Sequence, residues 1–243
     1  MGADRLVYVI AKAPGLGTAK TRLTPPLPAS QAVVLARAFL LDSVEIVQGA
    51  GIGVRVMCRS EAERSILTEL LRGRASVSVQ RGRGLGSALE SAFTEGLAAG
   101  VTSVGVFGAD SPTLDPELLT AGLSMLDDGA DIALGPSVDG GYYFLAAREL
   151  HPRLFHGMPW GSTSVAERTL RQCEVDGLDV RLLPEWYDVD DWAGLVQLRE
   201  ELKDAGPELA RHTRRALAEA DLGVVPARHA SLVAAPIASG STA

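Results

Sequence analysis

The segment Leu6 to Arg22, LVYVIAKAPGLGTAKTR, decides the fold. Its opening run, Leu6 to Ala11, is unbroken by any charge and stops at Lys12, which predicts a short strand buried on both faces. The strand gives way to a loop holding Gly15, Gly17, Lys12, Lys20 and Arg22, and no helix can follow at once, because Pro25, Pro26 and Pro28 remove amide donors and clash inside a helix. A dinucleotide fingerprint would need a glycine where Lys20 stands and a helix opening there. A P-loop would need glycines at Pro14 and Ala19 and a helix starting at the Lys20-Thr21 pair. What remains is either a solvated surface loop or an extended loop draped over a nucleotide, with Gly15 and Gly17 allowing close backbone approach and Lys20 and Arg22 neutralising phosphates. Arginine is the default cation of this chain, twenty against three lysines, and two of the three lysines fall in this loop. At an effective dielectric near 20, a charge pair at ~4 Å is worth about 4 kcal/mol, so fixed cations here matter to a polyphosphate.

Outward from the loop, strand-like and helix-like stretches alternate. Ala32, Leu35, Ala36, Phe39, Leu40, Val44 and Val47 recur at helical spacing, with Ser30 as the expected N-cap. Strands are expected at Gly53 to Cys58, Ala75 to Gln80 and Val101 to Ala109, and helices at Glu61 to Leu71 and Ser87 to Ala98. Asp115-Pro116 caps a helix over Glu117 to Leu126. Asp131 to Gly135 and Tyr142 to Ala147 read as strands flanking an Asp139-Gly140-Gly141 turn. A helix from Ser162 or Ser164 to about Cys173, a strand at Val180 to Leu183, and helices over Trp192 to Lys203 and Glu208 to Ala220 complete the pattern. This is the α/β class: one domain over 1–223 with a largely parallel sheet. The Ala/Ser/Pro-rich stretch 224–243 has no periodicity and is expected to be a disordered tail.

Of 243 residues, 47% are hydrophobic and 22% charged, an ordinary globular balance. The net charge of −7 argues against a nucleic-acid partner, which needs a basic face. No apolar run approaches the ~20 residues that span a bilayer, so a cytoplasmic protein without a membrane partner is expected. Cys58 and Cys173 match no metal spacing and fit buried thiols in a reducing compartment. The sequence is compatible with a homodimer.

The carboxylates supply the second half of a site. Asp110 follows a strongly apolar strand, at the sheet edge where open α/β folds bind ligands, and Asp115 already serves as the helix cap beside it. Asp110 is therefore a candidate for Mg²⁺ or Mn²⁺, which takes one or two protein carboxylates and completes its shell with phosphate oxygens and water. In Asp188-Val189-Asp190-Asp191 one acid caps the next helix, alternate residues share a side, and Asp190 is the candidate second ligand. The Asp139-Gly140-Gly141 turn either serves the hairpin alone or lets an acceptor lie against its glycines.

Taken in order, KAPGLGTAKTRL, GRGLGSALESAF, GADSP, GPSVDGGYYFLA, LFHGMPWGSTSV and DVDDW resemble the glycosyltransferase-like radical-SAM/selenodomain-associated transferases. They are similar, more distantly, to 2-phospho-L-lactate guanylyltransferase and the molybdenum-cofactor nucleotidyltransferases. The resemblance implies a GT-A-like nucleotide-diphospho-sugar transferase fold, a single Rossmann-like three-layer α/β/α domain with a mostly parallel mixed sheet, and a divalent cation working on phosphates. It implies nucleotide contacts from Lys12, Lys20 and Arg22, a base or ribose beside Gly84 and Gly86, a metal on Asp110 and Asp190, and an acceptor pocket along Asp139, Gly140, Gly141 and Tyr142. Trp160, Tyr142 and Tyr143 either stack on a base or sugar or pack in the core. The function expected from all this is nucleotidyl transfer from a nucleoside triphosphate to a small anionic acceptor, with Lys20, Arg22 and Asp110 as catalytic residues. Its alternatives are glycosyl transfer from a nucleotide sugar and a binding module without turnover.

Overall fold

The computed structural model describes residues 4–15 and 19–220. Seven strands form one sheet: β1 (Arg5–Ile10), β2 (Gly53–Cys58), β3 (Ser76–Val79), β4 (Ser103–Gly108), β5 (Ile132–Pro136), β6 (Tyr142–Ala147) and β7 (Val180–Leu182). Their spatial order is β3-β2-β1-β4-β6-β5-β7. All neighbours run parallel except β6, which is antiparallel to both β4 and β5. The hairpin that the Asp-Gly signal predicts is the β5–β6 pair. Among the described residues, the sequence order runs outward from β1 through β2 to β3 and then resumes with β4 on the other side of β1. That reversal opens a crevice beyond the carboxyl ends of β1 and β4, whose last residues Ile10 and Gly108 are in register.

The period of two along β1 explains the two cores. Val7 and Val9 face a cluster shared with α1 (Ala29–Gly49), α2 (Glu61–Leu71) and α4 (Pro116–Asp127). Leu6 and Tyr8 face the opposite cluster with α3 (Gly84–Ala98) and α5 (Val165–Asp176), where Cys173 is buried. Cys58 is buried and free in the first cluster. A third cluster lies outside these layers. Leu23, Leu35 and Phe39 pack there against Val189 and against Leu195, Leu198 and Leu202 of α6 (Trp192–Asp204), with Ala216 of α7 (Arg211–Glu219). The C-terminal helices thus fold back over the outer side of α1.

Three helix starts differ from the sequence expectation. Ser30 is not a cap: α1 begins at Ala29 behind Pro28, whose fixed φ suits the position without a side-chain bond. Helix α3 begins at Gly84, ahead of Ser87, because two glycines weaken the helical signal without preventing the turn. Helix α7 begins at Arg211, behind the expected Glu208, because its cap comes from α1. There Asp42 accepts hydrogen bonds from the backbone N–H groups of His212 (3.0 Å) and Thr213 (2.8 Å) and from the Thr213 hydroxyl (2.6 Å). Asp115 and Asp191 cap α4 and α6 through the Glu117 and Gly194 N–H groups, as the local sequence predicts. Residues 224–243, read as a tail, lie outside the described residues, and no described helix is long and apolar enough to cross a membrane.

Candidate active site

A cavity of about 700 Å³ fills the crevice beyond β1 and β4. Lys12, Lys20, Arg22, Gly84, Asp110 and Asp190 all line it. Lys12 is the second residue past the end of β1 and Asp110 the second past the end of β4, so the parallel register of these strands sets the loop and the acid side by side. Asp190 arrives from far along the chain. The Val189 N–H donates to the Asp110 carbonyl at 2.8 Å, and the fully buried Val189 side chain anchors the segment in the third cluster.

Lys20 joins the two acids. Its Nζ lies 2.5 Å from Asp110 Oδ1 and 2.9 Å from Asp190 Oδ1, and it donates to the Val189 carbonyl at 2.8 Å. An ammonium has three donors, and these three oxygens use them all. The Lys20 side chain is 8% exposed, whereas both carboxylates are 44% exposed. Burial pushes the ammonium down, but the charges and hydrogen bonds of Asp110 and Asp190 outweigh it and hold Lys20 above its ordinary value. Its backbone sits at φ 44, ψ 47, a left-handed conformation that a lysine adopts only under tertiary constraint. The loop cation expected on the phosphates is thus bound to the acids themselves. Lys12 and Arg22 are exposed, with no side-chain partner among the described residues.

Asp110 and Asp190 fit a divalent cation on donor chemistry. They are hard oxygen donors that already converge on a single cationic atom, and each keeps solvent-facing surface in the cavity. Asp188 turns to other work: its Oδ1 accepts from Ser111 Oγ and its Oδ2 from Ser137 Oγ, each at 2.6 Å. Burial lifts Asp188 above its ordinary value, and the two hydroxyls offset that only in part. A separate group, Asp42, Glu45 and His212, has ligand atoms within 4.8 Å of one another, but its carboxylates are already engaged in docking α7 on α1.

Gly17 lies outside the described residues, and the Gly15 carbonyl accepts from the Ala19 N–H at 3.1 Å. Gly84 lines the cavity, but Gly86 is a packing position: a Cβ there would stand 2.5 Å from the Phe155 carbonyl oxygen and 2.9 Å from Trp160 Nε1. None of the five acceptor candidates lines the cavity. The Asp139 carboxylate accepts from the Gly141 N–H at 2.8 Å, closing the hairpin turn, and Gly140, at φ +87, sits where a Cβ would meet the Thr163 carbonyl oxygen at 2.0 Å. Tyr142 and Trp160 pack edge to face, centroids 6.4 Å apart, against the α3–α5 core.

Sequence reasoning passed over Arg59 and Gln80. Each is the first residue beyond a parallel strand, β2 and β3, so the edge rule applied to β1 and β4 reaches them too. Both line the cavity. Arg59 Nε is braced by Glu63 at 2.8 Å. The buried Gln80 donates its amide to the carbonyls of Gly82 and Gly84, each at 3.1 Å, which fixes the carboxamide and leaves its oxygen as an acceptor.

A bacterial family described as "Uncharacterized protein conserved in bacteria (DUF2064)" is matched over residues 42–162, just under half of the chain. No curated protein matches the chain in sequence. Among solved structures, a protein from Desulfovibrio desulfuricans G20, provisionally assigned as a nucleotide-diphospho-sugar transferase, is 26% identical with a TM-score of 0.82, covering 90% of this chain and 96% of its own. The 4-diphosphocytidyl-2C-methyl-D-erythritol synthase of Anaerococcus prevotii is 14% identical with a TM-score of 0.53, over 82% of this chain and 97% of its own. Glucosyl-3-phosphoglycerate synthase of Mycobacterium tuberculosis, solved with Mn²⁺, UDP and glucosyl-3-phosphoglycerate, is 11% identical with a TM-score of 0.51, over 93% of this chain and 82% of its own. The seven-stranded mixed sheet with its flanking helices is therefore the Rossmann-like fold shared by nucleotidyl- and sugar-transferring enzymes.

Proposed function

We propose that this protein is a divalent-cation-dependent nucleotidyltransferase that moves a nucleoside monophosphate from an NTP to a small anionic acceptor and releases pyrophosphate. The observation that carries this reading is that cations without a side-chain partner among the described residues, Lys12 and Arg22, and a convergent acid pair, Asp110 and Asp190, line one cavity at the topological switch of the sheet. Asp110 and Asp190 would hold the cation, which when bound neutralises phosphate charge and polarises phosphorus toward attack. Lys12 and Arg22 meet the terminal phosphates and stabilise charge as it gathers on the departing pyrophosphate. Arg59 is a weaker contributor, since Glu63 already balances it. Gln80, locked by Gly82 and Gly84, accepts a hydrogen bond from a donor on the base, and Gly84 lets the ring lie close to the backbone. No covalent nucleophile is needed, because positioning and charge neutralisation supply the rate.

Glycosyl transfer from a nucleotide sugar is the second reading, favoured by the sugar-transferring relative that shares the fold and binds UDP with Mn²⁺. The products separate the two. A panel of NTPs and nucleotide sugars, with and without Mg²⁺ or Mn²⁺ and with candidate acceptors, is followed by mass spectrometry: pyrophosphate selects the first reading and a nucleoside diphosphate the second. Asp110→Asn should abolish cation-dependent thermal stabilisation by the nucleotide. Unchanged stabilisation and turnover in that variant would remove the assignment of the acid pair.

A further inference from the structure

We infer that Lys20 is a resident cation of the Asp110–Asp190 seat and yields that seat to the divalent ion, moving into the cavity to meet phosphate when it does. The inference rests on the proposed reading of the two acids as ligands. Its physical basis is occupancy. Lys20 Nζ stands 2.5 and 2.9 Å from one oxygen of each carboxylate, the place where a cation shared by the pair has to sit. All three of its donors are used, so in this arrangement it has none for a phosphate. A divalent ion and the ammonium cannot occupy one seat together, because two cations at contact distance repel.

Charge counting gives the direction of the exchange. With Lys20 seated, two carboxylates and one ammonium leave a single negative charge facing the cavity, which opposes a polyphosphate. With a divalent ion seated, the pair is neutral and the ammonium adds a positive charge to the wall already held by Lys12 and Arg22. The seated lysine thus keeps the free protein weak for both ligands, and binding of either favours the other, as linkage requires. The strained left-handed backbone of Lys20 and the ring of Phe39, 5.4 Å from Nζ, mark the seated arrangement as one that the surroundings must hold in place.

The sequence makes the test clean, because there are only three lysines: Lys12, Lys20 and Lys203. Amine acetylation of the wild-type protein, read by mass spectrometry, should find Lys20 protected and the exposed Lys12 and Lys203 reactive. On titration with Mn²⁺ alone, Lys20 should become reactive with the midpoint of Mn²⁺ binding measured by electron paramagnetic resonance, while Lys203 stays unchanged. If the ammonium holds the seat about nine-tenths of the time, Lys20→Met should bind Mn²⁺ about tenfold more tightly. Two results would overturn the exchange while leaving nucleotidyl transfer intact: Mn²⁺ binding that is lost in Asp110→Asn yet leaves Lys20 protected, or equal Mn²⁺ affinity in a folded Lys20→Met. Failure of both wild type and Lys20→Met to bind Mn²⁺ would remove the seat itself, and with it the cation in the proposed function. The labelling experiment uses only the wild-type chain and does not depend on the variant's folding.

Discussion

Gly86→Ala is a small change with two incompatible forecasts, depending on whether the position meets a nucleotide or the protein. The added methyl would start 2.5 Å from the Phe155 carbonyl oxygen and 2.9 Å from Trp160 Nε1. The first is backbone and cannot rotate away. The second is an indole wedged against Tyr142 and the α3–α5 core. Overpacking of this sort costs about 1–3 kcal/mol. Gly86 lies in the first turn of α3, so alanine returns up to about 1 kcal/mol of helix propensity. With that full return the net loss is up to about 2 kcal/mol, or up to ~8 °C in Tm for a chain of this size. Gly49→Ala in the last turn of α1 is the control: its new methyl meets only Pro116 Cγ at 3.9 Å, so the same substitution should be neutral or stabilising. Urea denaturation followed by tryptophan fluorescence reads both, and nucleotide affinity should survive in Gly86→Ala under conditions where the variant is folded. A variant as stable as wild type with a nucleotide affinity cut tenfold or more would refute the packing argument and return Gly86 to the ligand.

Lys12→Ala and Arg22→Ala should each weaken tripolyphosphate binding by ~10-fold, as expected for one charged hydrogen bond of ~1.5 kcal/mol, with less effect in high salt; calorimetry at two ionic strengths checks this, and a loss indifferent to salt would mean a scaffold role. Asp42→Ala should cost about 2–4 kcal/mol in urea denaturation, since it strips the Thr213 hydroxyl, fully buried, and two N–H groups of α7 of their acceptor, whereas Asp42→Asn keeps an acceptor and should cost less. Burial raises the Asp42 carboxyl above its ordinary value despite the Thr213 and His212 bonds, so the folded state holds that proton more firmly than the unfolded one. The stability of wild type relative to Asp42→Asn should therefore be greatest at low pH and fall as pH rises from the ordinary aspartate range through the raised value; a difference that grows with pH would reverse the sign argued here.

The parallel strands and most helices were legible because hydrophobic period and local caps are short-range signals: LVYVIA as β1, Asp115-Pro116 opening α4, Asp139-Gly140 turning the hairpin. The placing of Lys12 and Asp110 side by side was also legible, since strand ends of a parallel sheet point the same way, whereas Arg22 and Asp190 follow no strand end and their place in the same cavity came from the resemblance. What spacing cannot supply is a distant partner. Nothing near Arg211 in sequence says that Asp42 will cap α7, and nothing near Lys20 says that its ammonium will settle between two acids on separate segments. Gly86 and Gly140 show the same limit: a glycine reads alike whether a ligand or another stretch of backbone comes close to it, and here the neighbours are Phe155 and Thr163. Arg59 and Gln80 were available from position alone.

The link from the Val189 amide to the Asp110 carbonyl has a consequence for synthesis on the ribosome. One acid is made midway and waits beside an unfinished wall; its counterpart emerges only with the segment leading into α6, and that segment is held by packing against α1. A nascent chain halted before Val189 would carry β1 to β7 and still lack Asp190, so the acid pair is completed only when the final quarter of the chain folds home.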